Sequence, residues 1–166
     1  MFHKLIGALG LAALLAVSSS AGAQVWTAVA STGAIEDASL GNYFAGGASL
    51  AFRSGATGTV GAGYNVTNPL DTSASPSWTT LELTGRNAGG SAATFANATL
   101  YRVPKGGTTA SGVCTVVAPA TGATSTTTCT FSSALIDFAN YNYFVRVILG
   151  RDSTASIQAA YGLRVY

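Results

Sequence analysis

The sequence predicts an all-β fold, a single antiparallel β-sandwich that is jelly-roll-like and has about eight to ten strands. Apolar and polar residues alternate with a period of two along several runs, and Gly, Pro or Asn separates the runs. No stretch after residue 23 shows a convincing 3.6-residue period, and Gly and β-branched residues are too frequent for long helices. The chain of 166 residues is long enough for one domain with a core.

Residues 1–23 have the pattern of a secretory signal peptide. Lys4 supplies a positive charge, 5–17 are apolar, and 21–23 read Ala-Gly-Ala, an A-x-A cleavage pattern. The apolar run is shorter than the about 20 residues that a transmembrane helix needs. We therefore expect a cleaved signal, one domain at 24–166, and a secreted protein that is extracellular or periplasmic. The alternative is an uncleaved anchor.

Strand patterns follow one another at short spacing along this domain. They occupy 25–31, 34–38, 48–53, 60–67, 78–83, 95–103, 141–149 and 157–165, and two more flank a turn between the cysteines. Within 78–83, Leu81 and Leu83 share one face and alternate with polar neighbours. We interpret Gly150–Thr154 as a hairpin loop that joins the last two strands.

Cys114 and Cys129 are the only cysteines of the chain, and two cysteines in an exported protein usually pair. A turn pattern, Pro119–Gly122, lies midway between them. It predicts a hairpin that places the cysteines opposite each other on neighbouring strands, where a disulfide can form. A redox role lacks the C-x-x-C spacing. We predict a structural disulfide.

The charge content excludes several functions. Only 8% of the residues are charged, against about 25% in an ordinary soluble domain. The net charge of +2 is too small to bind nucleic acid or an acidic membrane by charge alone. The one histidine, His3, lies in the predicted signal, so His-dependent acid–base chemistry and most zinc sites are excluded from 24–166. We predict that the protein is not an enzyme.

The candidate ligand-binding residues are Trp78, Glu82, Arg102, Arg146 and Arg164. The alternation places Trp78 and Glu82 on a face that should meet solvent, where sugars stack on exposed rings. The three arginines lie inside strands, and if those strands are neighbours they line one face that suits an anionic or sugar ligand. The alternatives are that Trp78 covers the end of the core and that the arginines lie over neighbouring tyrosines.

We expect no cofactor, and a structural calcium ion is the alternative that the sequence leaves open. Its candidate ligands are Glu36, Asp37, Asn42 and Asp137, because loop carboxylates and amides supply the oxygen atoms that calcium prefers. No EF-hand or nonapeptide motif accompanies them. The alternative is that these are solvated loop residues.

Two N-glycosylation patterns begin at Asn65 and Asn97. Both lie in strand-like runs, and the pattern arises by chance in a Thr-rich chain. They would carry glycans only in a eukaryotic secretory pathway.

These observations favour an exported, non-catalytic β-sandwich that binds a glycan or a cell-surface polymer. The first alternative is a structural subunit that assembles with copies of itself into a surface layer, filament or matrix, because low charge and apolar residues on both faces of 141–149 suit self-packing. A small outer-membrane β-barrel is the third possibility. Membrane insertion is disfavoured, because several strands are shorter than the about 9–11 residues of a membrane strand. No nucleic-acid partner is expected.

Overall fold

The computed structural model describes residues 24–70, 74–89 and 91–166. Over these residues two antiparallel sheets pack face to face, which confirms the predicted all-β, jelly-roll-like sandwich. The strands are β1 (Trp26–Val29), β2 (Ala34–Ile35), β3 (Tyr43–Gly46), β4 (Ser49–Phe52), β5 (Gly58–Val66), β6 (Thr80–Ala88), β7 (Phe95–Pro104), β8 (Ser111–Val117), β9 (Thr124–Thr130), β10 (Tyr141–Arg151) and β11 (Ile157–Val165). Short 3₁₀ helices lie at Ala30–Thr32, Asp37–Ser39 and Ser133–Leu135.

The first sheet has the order β3-β4-β11-β6-β9, and β1 also pairs with β11. The second sheet has the order β2-β5-β10-β7-β8. Across the described ranges these strands form two separate sheets and no single closed one. The strand that the sequence patterns missed is β3, an edge strand whose residues are all at least partly exposed and therefore show no clear alternation.

Strand β10 shows how the alternation builds the core. Tyr143, Val145, Val147 and Leu149 point inwards and are buried, while the residues between them lie on the solvent side of the second sheet. Cross-strand partners share these faces, so Val145 lies beside Leu100 of β7, which is also buried. The register therefore determines which side chains of the second sheet are available to a ligand.

The disulfide between Cys114 and Cys129 is present, with a Cα–Cα distance of 6.2 Å. The hairpin predicted around it is wrong, because β8 pairs with β7 in the second sheet and β9 pairs with β6 in the first. The bond therefore joins the edges of the two sheets. The hairpin predicted at Gly150–Thr154 is also wrong, because β10 and β11 lie in different sheets. Each of these loops crosses from one sheet to the other.

The predicted signal peptide, residues 1–23, lies outside the described residues. In the part of the chain that the structure describes, no helix has the length and apolar character needed to cross a membrane. The disulfide is of the kind that exported proteins carry.

Candidate functional site

Two aromatic rings stack on the solvent side of the second sheet. Tyr101 of β7 and Phe144 of β10 are directly opposite each other in the register, one position from the inward residues Leu100 and Val145. Their ring centroids are 5.1 Å apart and their planes differ by 12°. We call Tyr101 and Phe144 the ring pair. Because the rings are stacked, each covers one face of the other and restricts its movement, which makes the pair a more rigid apolar surface than one ring alone.

A groove of about 590 Å³ lies beside the ring pair, between β1 and β5. It is lined in part by Trp26, Thr27, Thr32, Gly63, Asn65 and Phe144. The groove is open because β2 has two residues and pairs with β5 only at Ala62 and Gly63. Gly63 adds space, because a Cβ atom there would have no neighbour within 4 Å. We call this depression the β1–β5 groove.

An ion pair lies next to the ring pair on the same face. Arg146 of β10 donates from Nε to Glu36 Oε1 at 2.5 Å and from Nη2 to Oε2 at 2.8 Å. The carboxylate lies against Gly61, where any side chain would collide with it. The hydrogen bond to Arg146 lowers the pKa of Glu36, and the same bond raises the pKa of Arg146. Each charge is therefore neutralised by the other.

This ion pair predicts a small dependence of stability on pH. Because the pKa of Glu36 is lowered on folding, its stabilising contribution is fully present above the ordinary value of 4.5 and is lost as the pH falls through the lowered value. The two side chains are 39% and 35% exposed, so solvent limits the contribution to about 1 kcal/mol. Glu36→Gln should therefore lower the free energy of unfolding at pH 7 and leave it unchanged at pH 2. Urea titrations at both pH values measure this, and an equal loss at both would contradict it.

Trp78 is not on the solvent face. It is 1% exposed, its Nε1 donates to the carbonyl of Gln24 at 2.5 Å, and its ring meets Phe138 edge-on. The expectation of an exposed ring is therefore wrong, and the alternative, that Trp78 covers the end of the core, describes its position.

The three predicted arginines do not share one face. Arg146 is on the solvent side of the second sheet, whereas Arg102 pairs with the inward-pointing Tyr143 and therefore belongs to the opposite side. Arg164 is on the first sheet. Two of the three follow the alternative interpretation: Arg102 lies over the ring of Tyr141 at 4.7 Å, and Arg164 lies over that of Tyr166 at 5.0 Å.

Glu82 and Arg164 do meet, but on the outer face of the first sheet. Arg164 Nη1 is 3.4 Å from Glu82 Oε1, and the hydroxyl of Tyr166 donates to Glu82 Oε2 at 3.2 Å. A depression of about 290 Å³ beside them is lined in part by Thr27 and Thr84. The Glu82 carboxylate is therefore already bonded to two groups of the same chain.

Two of the four predicted calcium ligands, Glu36 and Asp137, have side chains that are engaged in other contacts. Glu36 binds Arg146, and Asp137 accepts hydrogen bonds from the backbone of Ala139 and from the backbone and side chain of Asn140. The side-chain bond to Asn140 is the main reason why the pKa of Asp137 is lowered. In the described ranges no three His, Cys, Asp or Glu side chains, Asp37 included, lie close enough together to hold a metal ion. Asn42 contributes backbone hydrogen bonds to a turn and to Arg53.

The sequence analysis did not single out the ring pair, and it did not name Asn65 as a candidate ligand-binding residue. The signal was present, because Phe144 alternates with inward residues and shares a face with Asn142 and Arg146. The glycosylation pattern drew attention to Asn65, which is exposed on β5, and to Asn97, whose Oδ1 is buried in β7 without a partner.

Comparisons with known proteins leave the family open. No family and no curated protein matches the sequence. The chain is similar to a xylan-binding module, CBM15, at 16% identity and a TM-score of 0.46 over 87% of this chain and 96% of that one. It is also similar to a chain of infectious bursal disease virus, Gx strain, at 18% identity and a TM-score of 0.37 over 86% of this chain and 31% of that one. Neither likeness assigns a function to this chain.

Proposed function

We propose that this protein is an exported, non-catalytic module that binds a glycan or a cell-surface polymer on the solvent side of the second sheet. The observation that carries the proposal is the ring pair, Tyr101 and Phe144, of which Phe144 lines the β1–β5 groove. Sugar rings have an apolar face that packs on aromatic rings, and their hydroxyls need polar partners close by.

The polar partners surround the ring pair. Asn65 is exposed and lies opposite Phe144 in the register, and Thr99 and Arg146 lie one row away on the same face. Phe144 has one face against Tyr101 and also lines the groove, so a sugar in the groove would pack on its other side. A few placed polar groups around an apolar surface are the usual composition of a ligand site.

Replacing either ring with alanine should weaken binding. Phe144→Ala and Tyr101→Ala are each expected to lower the affinity about tenfold, because aromatic stacking contributes about 0.5–1.5 kcal/mol beyond the area buried. The measurement is affinity electrophoresis and calorimetry with xylan, mannan, hydroxyethyl-cellulose, polygalacturonate and alginate.

Phe44→Ala is the matched control. Phe44 is 53% exposed and lies on the outer face of the first sheet, away from the ring pair. Its replacement should leave binding unchanged. A wild-type protein that binds none of these polymers, or a Phe44 variant that loses as much affinity as the Phe144 variant, would reject the proposal.

Self-assembly is the second candidate function, and the edges of the sandwich favour it. The edge strands β8 and β9 contain no charged residue, although charged side chains are the common protection of an exposed edge. An uncharged edge can pair with the edge of another copy. Light scattering of the same purified sample over a range of concentrations distinguishes growing particles from a monomer.

A further inference from the structure

We propose, on the basis of the proposed function, that the ligand is a linear and uncharged polysaccharide, bound through an internal segment along a track of two depressions. The first is the β1–β5 groove. The second has a volume of about 520 Å³ and lies at the end of β5, where Thr67, Phe138 and Asn142 line it. We call the two together the track.

The two depressions are neighbours that share one lining residue. Asn65 lines both of them, and it is exposed on the solvent side of β5 opposite Phe144. From Gly63 in the groove to Thr67 in the second depression, β5 and its extension span about 13 Å at the rise of an extended chain. The track is therefore longer than the groove alone and follows one strand, which suits an extended polymer.

Among the residues that the structure describes, none that lines either depression is acidic or basic. Lys105, beside the second depression, donates from Nζ to the carbonyl of Phe138 at 2.7 Å. The nearest described ion pair on this face, Glu36 and Arg146, is bidentate and satisfies itself. An acidic polysaccharide would need unpaired arginine or lysine side chains along its path, since guanidinium groups are the usual partners of carboxylates. The lining of the track instead offers amides, hydroxyls and aromatic rings, which match a neutral sugar.

The track is open along its length, so a polysaccharide can bind through internal sugar units without placing its end in a closed site. Both depressions are open to solvent. A site of this form gains contacts with each further sugar unit until the strip is covered. Affinity should therefore rise with the length of the chain, and a monosaccharide should bind weakly.

Gly63→Val tests the track directly. Gly63 faces solvent opposite Arg146, a Cβ atom there meets nothing within 4 Å, and valine is favoured in strands, so the variant should fold. The valine side chain fills part of the groove. We therefore expect the affinity for long polysaccharides to fall at least tenfold, while the melting temperature of the protein stays unchanged. The control is the same substitution at Gly162, a solvent-facing position of the first sheet where a Cβ atom meets only the Ala28 carbonyl, at 4.0 Å.

The experiment is calorimetry on wild type and both variants, with oligosaccharides of increasing length from a disaccharide upwards and with the five polymers named above. Affinity that rises with length for a neutral polymer and falls in Gly63→Val alone supports the inference. Affinity that is independent of length, stronger for polygalacturonate or alginate, or unaffected in Gly63→Val overturns it and leaves the proposed function standing. Absence of binding to every polymer overturns both.

Discussion

Trp78→Ala is expected to lower the free energy of unfolding by about 3–5 kcal/mol, the range for removing a large aromatic side chain from a core. Trp78 is the largest of the fully buried side chains, and it packs edge-on against Phe138 with centroids 5.9 Å apart. Its indole also donates to the carbonyl of Gln24, which joins the segment just before β1 to the segment just before β6. Chemical denaturation of the wild type and the variant, followed by circular dichroism, measures the loss.

Trp78→Phe is the matched variant, because it keeps an aromatic ring in the same space and removes only the hydrogen bond and part of the area. This variant should lower the free energy of unfolding by less than Trp78→Ala does, on the order of 1–2 kcal/mol. Polysaccharide binding by the folded fraction of either variant should equal that of the wild type. A Trp78→Ala protein with wild-type stability and no binding would instead return Trp78 to the ligand site.

The position of Trp78 shows what a local sequence pattern can and cannot predict about burial. Alternation within 78–83 correctly placed Leu81 and Leu83 in the core. It failed for Trp78, which lies just before β6, so the period of two does not apply to it. Its hydrogen-bond partner, Gln24, is 54 residues away, and no pattern along the chain specifies that contact.

The candidate site was predictable only in part, because its contacts also join residues that are far apart in the sequence. Glu36 and Arg146 were both singled out, one as a metal ligand and the other as a ligand-binding residue, but their contact spans 110 residues. The ring pair likewise depends on the register between β7 and β10. Alternation assigns a side chain to one of two faces, and only the pairing of distant strands says which side chains become neighbours.

The connections could not be predicted because a short loop is compatible with two geometries. The segment between Arg151 and Ile157 can turn back within one sheet or cross to the other. A buried alternating pattern is satisfied in both cases, since each strand needs one covered face and not a particular neighbour. The same ambiguity applies between Cys114 and Cys129, where the pairing was predictable and the hairpin was not.

Removing the disulfide with Cys114→Ala and Cys129→Ala is expected to cost about 3 kcal/mol, because the bond closes a loop of 15 residues. For a domain of this size that corresponds to a melting temperature lower by about 10 °C. Calorimetry of the double variant measures it. Wild type under reducing conditions is the control and should match the double variant, since both lack only the cross-link; an unchanged melting temperature in both would contradict the prediction.

The stability lost on removing the disulfide should be concentrated in β9. The inward side chains of this edge strand are Ser125, Thr127 and Cys129, and the hydroxyls of the first two are buried without a hydrogen-bond partner. Burial of polar groups without partners is unfavourable, so β9 is held by its ladder with β6 and by the disulfide more than by apolar packing. Hydrogen exchange in the double variant should therefore lose protection at 124–130 well before the central strand β10. Equal loss along both strands would mean that the bond stabilises the sandwich as a whole and not this edge.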